Sequence, residues 1–597
     1  MPRQLFLLFS WLCLAPIAPA EEGPGKALRL SPGQEALGDP GVPPLHEVVK
    51  EAVGKESGLR LVLAKPSRPR GEVAEHRAAS PSQGPAAHDW LRDAGPDSRF
   101  HLLAGGDGTL FDHATLTIWN WDNEPIRQVR VEAGIREVAL RIDGLGSYLL
   151  TLDGFAEGVC RKRLVRNIAA TEDLNAARDT FRTDEFFLGV CAFPGRYHWM
   201  SEGEPVLPSD LTEQEARDLE AGLLARLGFQ VVRVDESMEM GPASPDGSAS
   251  TAGPYRFDFE RMDAAVGAYT SRGFELALQT MNAPDWAIHP AHAEVEEHRW
   301  RYPREEAAQR AYVAALLERY GRHARFVQVF NEPDQAEFWA GTPAEFVEQF
   351  RYTHEQIRAW SSDIPVANGG YAFADEKRVR YFVERLRPWI DRPSYHSHGT
   401  LAGMRDTFAK MKSLHREAGY RAPAAGAPVF LNTETGFDAW RLDQERRQAQ
   451  ALVQKTLYGW ANDHGGVMLF CGRMVKGPGR EQRDLGLLDY EFCPRFAYAA
   501  VGGLVSVLAG ATFETTLMQT EETCVYEFRR GADRIVAAFS LDGNGEIELR
   551  SDGRGATVVD AMGNRAEPAA ADSLVLSLDG YPGYAIFEGA TSVSLRR

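Results

Sequence analysis

The sequence has an excess of negative charge and carries little that would attract a polyanion. Its 66 lysines and arginines are outnumbered by 84 aspartates and glutamates, which gives a formal net charge of −18 at pH 7. Nucleic acids and anionic membranes are bound by basic surfaces, and no basic stretch interleaved with aromatic residues occurs in the chain. The composition therefore excludes both as the main partner.

Long apolar segments are also lacking after the N-terminus, so the sequence predicts no membrane span. The first twenty residues combine Arg3, an apolar run over 5–17 and the small-residue triplet Ala-Pro-Ala at 18–20. This arrangement is typical of a cleaved secretory signal. We therefore expect residues 1–20 to be a signal peptide and the protein to be secreted or periplasmic.

Cysteine is scarce, with six residues in 597. The five outside the expected signal are scattered and form no closely spaced pair of the metal-binding type. A disulfide between Cys471 and Cys493 is one possibility in an exported protein, but buried free thiols fit this scatter better. Histidines at positions 289, 292, 298, 396 and 398 lack a tight ligand motif such as H-E-x-x-H, so a metal site is the weaker alternative. We predict no metal and no cofactor.

Two apolar segments each end on a glutamate. The segment 326–334 reads FVQVFNEPD and contains Glu332, and the segment 428–436 reads PVFLNTETG and contains Glu434. Burying a carboxylate at the end of a buried strand is energetically unfavourable unless another group pairs with it, so such a residue is usually kept for a function. Two carboxyls that face each other across a sugar are what cleavage of a glycosidic bond needs, one protonated as the acid and the other ionised as nucleophile or base.

Strand and helix patterns alternate across residues 184–508. Thr212 with Glu215 forms a capping box before the first helix, and Thr342 caps a later one. The predicted strands cover 186–191, 229–234, 276–281, 326–330, 364–367, 393–396, 428–434 and 466–470. Eight strands with helical connections predict a closed (β/α)8 barrel, whose active site gathers at the C-terminal ends of the strands.

The triplet Asn331-Glu332-Pro333 after a strand, with a later strand-end Glu434, resembles the retaining glycoside hydrolases of clan A. Within the clan, the sequence is most similar to families 39 and 5. This resemblance implies a (β/α)8 barrel with Glu332 as acid/base on the fourth strand and Glu434 as nucleophile on the seventh. It further implies that Asn331 binds the sugar 2-hydroxyl and that Arg233, on the second strand, keeps Glu434 ionised.

The sixth strand departs from the family pattern. Members often have His-x-Tyr there, with the tyrosine bonded to the nucleophile, whereas this chain has His396-Ser397-His398. The tyrosine's role therefore passes to His398 or to another residue. The further predicted substrate-binding residues are His396, Tyr395, Asn282, Trp286 and Trp440, the tryptophans because an indole ring can stack on a sugar face.

Strand patterns on both sides of the barrel predict two β-sandwiches. Residues 21–95 are rich in Pro, Gly, Ala and charge and are predicted to be a low-complexity linker or disordered, with one candidate strand at 59–63. Short alternating runs predict an N-terminal sandwich over 96–175 and a C-terminal one over 509–597. Trp119 and Trp121 in the N-terminal part are either sugar contacts or, more simply, core residues.

The predicted function is a secreted retaining glycoside hydrolase that acts on a poly- or oligosaccharide by double displacement. A non-catalytic glycan-binding barrel and a transglycosylase are the alternatives. The partner is a carbohydrate substrate in each case. The sequence leaves open the sugar, the linkage, internal or terminal cleavage, and the oligomeric state.

Removal of the signal is directly testable. We expect the exported protein to begin near Glu21, because signal peptidase cleaves after small residues such as Ala18 and Ala20. N-terminal sequencing of protein recovered from outside the cytoplasm checks this, and recovery of Met1 would contradict it.

Overall fold

The computed structural model describes residues 59–63, 91–92, 99–106, 108, 110–122, 124–141, 144–178, 186–194, 211–234, 250–252, 255–281, 287–420, 430–439, 442–473, 485–489, 492–553, 555–566 and 573–596. Eight parallel strands form the central sheet. They are β1 (Phe187–Ala192), β2 (Val231–Val234), β3 (Glu275–Gln279), β4 (Ala324–Gln328), β5 (Val366–Ala367), β6 (Ser394–His396), β7 (Phe430–Thr435) and β8 (His464–Phe470).

The strands follow one another around a barrel. Their order in the sheet is β5-β4-β3-β2-β1-β8-β7-β6, so β1 pairs with β8 and the sheet curls on itself. Between β5 and β6 the ladder is reduced to isolated bridges, Ala367 with Arg392 and Tyr371 with Tyr395. The ring is nearly closed, and the predicted α/β fold with an eight-stranded barrel is confirmed.

A helix follows each strand and covers the outside of the barrel. The helices are α1 (Glu213–Arg226), α2 (Glu260–Thr270), α3 (Glu306–Tyr320), α4 (Pro343–Trp360), α5 (Glu376–Leu386), α6 (Leu401–Glu417), α7 (Leu442–Ala461) and α8 (Phe496–Leu508). The predicted capping box of Thr212 and Glu215 is present, and a second joins Thr342 to Glu345. Each box satisfies backbone N–H groups that the first helical turn leaves unpaired.

Short elements lie in the connections of the barrel. Ser250–Ala252 and Tyr255–Phe257 form a small antiparallel hairpin after β2. Single 3₁₀ turns cover Pro290–His292, Arg299–Arg301, Gly321–His323 and Arg387–Trp389.

An aromatic cluster lies under the loop that follows β4. The ring of Phe346 on α4 lies 5.6 Å from Phe330, 5.1 Å from Trp339 and 4.9 Å from Phe382, centroid to centroid. Edge-to-face contacts of this kind add to the free energy of burial. The cluster therefore supports the backbone that carries Glu332.

Two sheets precede the barrel, a three-stranded antiparallel sheet and a five-stranded mixed sheet. The three-stranded sheet contains Leu59–Leu63, Arg99–Gly106 and Gly134–Arg141, and the five-stranded sheet contains Leu91–Arg92, Val159–Ala170, Gly146–Ala156, His113–Trp119 and Pro125–Glu132. The candidate strand at 59–63 is confirmed. Trp119 donates its indole N–H to Thr151 (3.0 Å), and Trp121 packs edge-on against Tyr581 (5.6 Å), so both make internal contacts.

Two further sheets follow the barrel. The five-stranded sheet contains Thr512–Gln519, Thr523–Arg530, Asp533–Ser540, Gly583–Phe587 and Ala556–Val559, and the three-stranded sheet contains Ser573–Leu578, Gly545–Ser551 and Val593–Arg596. Strand-rich regions therefore flank the barrel on both sides. Their division into two sandwich domains stays a prediction.

Helix α7 contacts both flanking regions. Asn167, on the N-terminal five-stranded sheet, donates to a carboxylate oxygen of Glu445 (2.8 Å), and Glu445 is paired with Arg495 (3.3 Å). Gln454, further along the same helix, donates to the carbonyl of Gly580 in the C-terminal region (2.7 Å). These buried contacts attach the flanking sheets to the barrel.

The described cysteines form no disulfides, and the described helices include no membrane span, as the sequence analysis predicted. Cys160, Cys191, Cys471, Cys493 and Cys524 are free thiols, so Cys471 and Cys493 are not bonded to each other. Among the described residues, we find no helix with the length and apolar character needed to cross a membrane.

The aromatic cluster gives a stability prediction. Phe346→Ala removes a ring that is 1% exposed, and we expect the free energy of unfolding in urea to fall by about 3 to 5 kcal/mol. Val575, which is 57% exposed, provides the control, because Val575→Ala should change that free energy by less than about 0.5 kcal/mol. Similar losses for both variants would contradict the role given to the cluster.

Candidate active site

Glu332 is held by an unusual backbone path beyond β4. The strand ends at Gln328, and Phe330 and Glu332 then take left-handed backbone angles, with φ of 72° and 40°. Such angles cost non-glycine residues roughly 1–3 kcal/mol and occur at functional sites when other contacts fix them. Here the Glu332 N–H donates to Gly369 O (2.8 Å), and Glu332 O accepts from the Gln335 N–H (3.0 Å). The prediction that Glu332 lies on the fourth strand is thus corrected: it lies four residues beyond the end of β4.

Glu434 lies inside β7. The register of β7 shifts against β6 between Tyr395 and His396, and it shifts again against β8 between Asn432 and Thr435. An irregularity of this kind changes the direction in which a strand's side chains point. Glu434 is 3% exposed and reaches the same space as Glu332, which is 1% exposed.

The two glutamates and one histidine meet at the end of the barrel. One ligand atom each from Glu332, Glu434 and His396 lie within 4.8 Å of one another. Two buried carboxyls at this distance cannot both be ionised without a nearby cation. The neighbouring residues therefore decide which of them carries the charge.

Arg233 on β2 provides the cation. Its Nη2 lies 2.5 Å from Glu434 Oε1, and the guanidinium is 2% exposed. A buried guanidinium and carboxylate offset each other's desolvation only while they remain together. The structure thus places Arg233 on Glu434, as the resemblance implied.

His396 lies between the two carboxyls. Its Nδ1 is 2.6 Å from Glu332 Oε1 and 3.7 Å from Glu434 Oε1, while its Nε2 is 3.1 Å from the hydroxyl of Thr433. Gly370 makes this position possible, because a Cβ there would lie 2.0 Å from His396 Nε2. His396 therefore contacts the acid candidate directly.

His398 contacts the other oxygen of Glu434. Its Nε2 lies 3.4 Å from Glu434 Oε2, and its ring packs edge-on against Phe470 with the centroids 5.3 Å apart. The family's tyrosine would contact the nucleophile from this part of the sixth strand. In this chain His398 lies there instead, close to Glu434.

The pKa values of the two glutamates move in opposite directions. Burial raises the pKa of the Glu332 carboxyl well above its usual range, and the charge on Glu434 raises it further. Burial would also raise the pKa of Glu434, but the positive groups His396, Arg233 and His398 outweigh it and hold that pKa well below its usual range. These directions favour the protonated form of Glu332 and the ionised form of Glu434.

Sequence reasoning missed two residues that follow Glu332 directly. Gln335 donates its side-chain N–H to Glu332 Oε2. Asp334 accepts the backbone N–H groups of Ala372 (3.2 Å) and Ala374 (2.9 Å). Burial, with a smaller contribution from Glu332 when that carboxyl is ionised, raises the pKa of Asp334 to about 7. Their position beside the Asn-Glu-Pro triplet was the available signal.

Asn331 lies at the base of the site and is 7% exposed. Its side-chain oxygen accepts from Gln279 Nε2 (3.3 Å) and Gln328 Nε2 (3.5 Å). With the oxygen held in this way, the amide N–H₂ is the end of the side chain suited to donate to a ligand hydroxyl.

Of the remaining predicted substrate-binding residues, the structure describes Tyr395, and its side chain does not join the site. Tyr395 alternates with His396 along β6, so its side chain points to the opposite face. Its hydroxyl is 2.7 Å from His464 Nε2 and its ring stacks on Phe408, which corrects the prediction that it binds substrate. Asn282, Trp286 and Trp440 lie outside the described residues.

A metal centre is poorly supported by the same geometry. Glu332, His396 and Glu434 are close enough to share a divalent ion. However, the guanidinium of Arg233 lies against Glu434, and a second cation at that oxygen would be repelled. Of the other histidines, His292 pairs with Glu345 (2.7 Å) and lies apart from the site. The group of potential ligands found among the described residues contains only His396 of these five histidines.

Comparison with known proteins gives the fold. No protein-family model and no curated protein sequence matches the chain. Among solved structures, it is similar to a family 39 glycoside hydrolase from Bacteroides cellulosilyticus, with 18% identity, a TM-score of 0.59 and coverage of 81% of this chain and 96% of that one.

Two other solved structures are similar at lower scores. A family 39 beta-xylosidase from Caulobacter crescentus has 16% identity and a TM-score of 0.45, and covers 68% of this chain and 96% of its own. A family 30 endoxylanase from Clostridium papyrosolvens has 12% identity and a TM-score of 0.45, and covers 68% and 97%. The likeness to the family 39 structure with the TM-score of 0.59 concerns the fold, and the barrel that the Asn-Glu-Pro resemblance implied is confirmed.

Proposed function

We propose that the protein is a glycoside hydrolase that cleaves O-glycosidic bonds of a poly- or oligosaccharide with retention of configuration. The observation that carries the proposal is the pair Glu332 and Glu434, whose oxygens approach within 4.8 Å and whose pKa values are moved apart. Retaining enzymes hold their carboxyls roughly 5 to 5.5 Å apart, whereas inverting enzymes need roughly 6.5 to 9.5 Å to admit a water. The short separation supports a covalent intermediate.

In the first step Glu434 is the nucleophile and Glu332 is the acid. A carboxylate oxygen of Glu434 bonds to the anomeric carbon as the bond to the leaving oxygen breaks, and the proton of Glu332 passes to that oxygen. The opposite pKa shifts support this assignment, because a nucleophile must be ionised and an acid must hold its proton.

In the second step a water molecule replaces the leaving group. Glu332, now ionised, takes a proton from the water as the oxygen attacks the anomeric carbon, and the ester bond to Glu434 breaks. The sugar leaves with its original configuration, and both carboxyls return to their starting states.

His396 can follow the proton on Glu332 through this cycle. A neutral imidazole nitrogen accepts from a protonated carboxyl, whereas an imidazolium N–H donates to a carboxylate and carries the positive charge that lowers the pKa of Glu434. The second ring nitrogen faces the Thr433 hydroxyl, which can donate or accept as required. The contact with Glu332 at 2.6 Å therefore suits both states of the acid.

The remaining proposals concern binding and location. Asn331 would donate to the sugar 2-hydroxyl, a contact that strengthens in the transition state. We also propose that the protein acts outside the cytoplasm and that residues 96–175 and 509–597 form sandwich modules beside the barrel.

The division of labour between the two carboxyls is tested with alanine variants on a panel of para-nitrophenyl glycosides and polysaccharides. Glu434→Ala should lose nearly all activity, because no glycosyl-enzyme can form, and added azide should restore turnover with a product of inverted configuration. Glu332→Ala should slow natural glycosides about 10² to 10⁴-fold but affect activated aryl glycosides far less, since a good leaving group needs little protonation.

Azide should also rescue Glu332→Ala, this time with retention, because the second step then needs no base. Glu434→Gln, which keeps the shape of the side chain, is the control for binding. If wild type binds a glycan without turnover, the glycan-binding alternative holds. If products lengthen at high acceptor concentration, the transglycosylase alternative holds. Equal losses in both alanine variants, with no azide rescue, would refute the assigned roles.

The charge of Arg233 should set the pH profile. It lowers the pKa of both glutamates, so Arg233→Gln should raise the pKa of both. The acid limb of kcat/KM, where Glu434 takes up a proton, and the alkaline limb, where Glu332 loses one, should both move to higher pH.

Two comparisons make this pH test specific. Arg233→Lys keeps the positive charge and should shift the limbs less. Arg163→Gln breaks an ion pair with Asp153 (2.5 Å) in the N-terminal sheet and should leave the profile unchanged. An unchanged profile in Arg233→Gln would contradict the electrostatic role.

A further inference from the structure

Lys455 is a buried lysine behind the active site. It lies on α7, its side chain is fully buried, and its Nζ is 2.8 Å from Gly436 O and 3.4 Å from Ser397 O. Burial lowers the pKa of the amine to about 7. An ammonium group without water is unfavourable unless other groups solvate it, and here the two backbone carbonyls do so.

The two carbonyls belong to the ends of the strands that carry the site. Ser397 lies between His396 and His398, and Gly436 is two residues after Glu434. The Ser397 N–H donates to Glu434 O (2.9 Å), and the Gly399 N–H donates to Gly436 O (2.8 Å). Lys455 adds a third link to this junction, from the helix layer.

Gly436 transmits any movement to the site because it is tightly enclosed. A Cβ at this residue would lie 2.5 Å from Phe470 O and 3.0 Å from His398 Nδ1. A displacement of the Gly436 backbone toward this side would bring it against the ring of His398, whose Nε2 lies 3.4 Å from Glu434 Oε2.

We propose that Lys455 is a positioning residue of this site: through Gly436 and Ser397 it fixes the ends of β6 and β7 and so holds His398 against Glu434. The inference rests on the proposed function, because it concerns the nucleophile of that reaction. Lys455 touches no reacting atom, and its effect passes through the backbone.

The test compares Lys455→Met with a matched variant on the same helix. Methionine keeps the length and apolar body of the side chain but has no N–H to donate. We expect kcat on para-nitrophenyl glycosides to fall roughly ten- to a hundredfold, since misplacement of about 1 Å can cost that much, with KM changed little. Lys455→Gln keeps a donor and should recover part of kcat.

Gln454→Met is the control. It also removes a buried hydrogen bond to a backbone carbonyl, that of Gly580, but on the side of α7 that faces the C-terminal sheets. We expect a fall in melting temperature similar to that of Lys455→Met, with kcat unchanged. A purely structural role for Lys455 would make the two variants equal in kcat.

The outcomes separate this inference from the proposed function. If Glu434→Ala abolishes activity but folded Lys455→Met keeps wild-type kcat, only the inference on Lys455 is overturned. If Glu434→Ala stays active, the proposed function itself fails. If Lys455→Met does not fold, Lys455→Gln decides: a reduced kcat with an unchanged KM supports the proposal, and wild-type kcat overturns it.

Discussion

The carboxyls of Glu332 and Glu434 and the guanidinium of Arg233 are buried together. The rest of the site depends on how the charges of these groups are balanced. Arg233 can balance one buried carboxylate, and its contact with Glu434 decides which one. Glu332, 1% exposed and close to a carboxylate that is already charged, then favours its neutral form. Acid and nucleophile therefore differ because His396, Arg233 and His398 together favour the charge on Glu434, although the two side chains are chemically identical.

The site is fixed where the barrel is least regular. Between β5 and β6 the ladder gives way to isolated bridges, and the loop over 369–374 takes its place. The carbonyl of Gly369 accepts the Glu332 N–H, and Gly370 leaves room for the ring of His396. The N–H groups of Ala372 and Ala374 donate to Asp334. Regular strand pairing would use these backbone groups for the sheet. Its interruption makes them available to hold the acid and its neighbours.

The sequence predicted what depends on periodicity, and it failed where a single residue's direction matters. Eight apolar runs and the capping boxes were sufficient for the barrel and its helices. A strand of three residues, such as β6, is too short for its sequence to show which side chains face the barrel interior. Tyr395 and His396 were therefore both predicted to bind substrate, although their side chains point to opposite faces. The left-handed turn at Glu332 is fixed by a tertiary contact, the hydrogen bond from its N–H to Gly369 O in the loop after β5, which no local pattern encodes.

The contacts of helix α7 bear on whether the flanking regions are domains separate from the barrel. Its buried Glu445 is bonded to Asn167, and its Gln454 to Gly580, so one barrel helix has partners that lie before residue 184 and after residue 508. A flanking region that looks like a separate module in the sequence is therefore coupled to the barrel, so the two do not unfold as independent cooperative units. Evolutionary exchange of either flanking region would have to replace a buried polar contact on the same helix that carries Lys455.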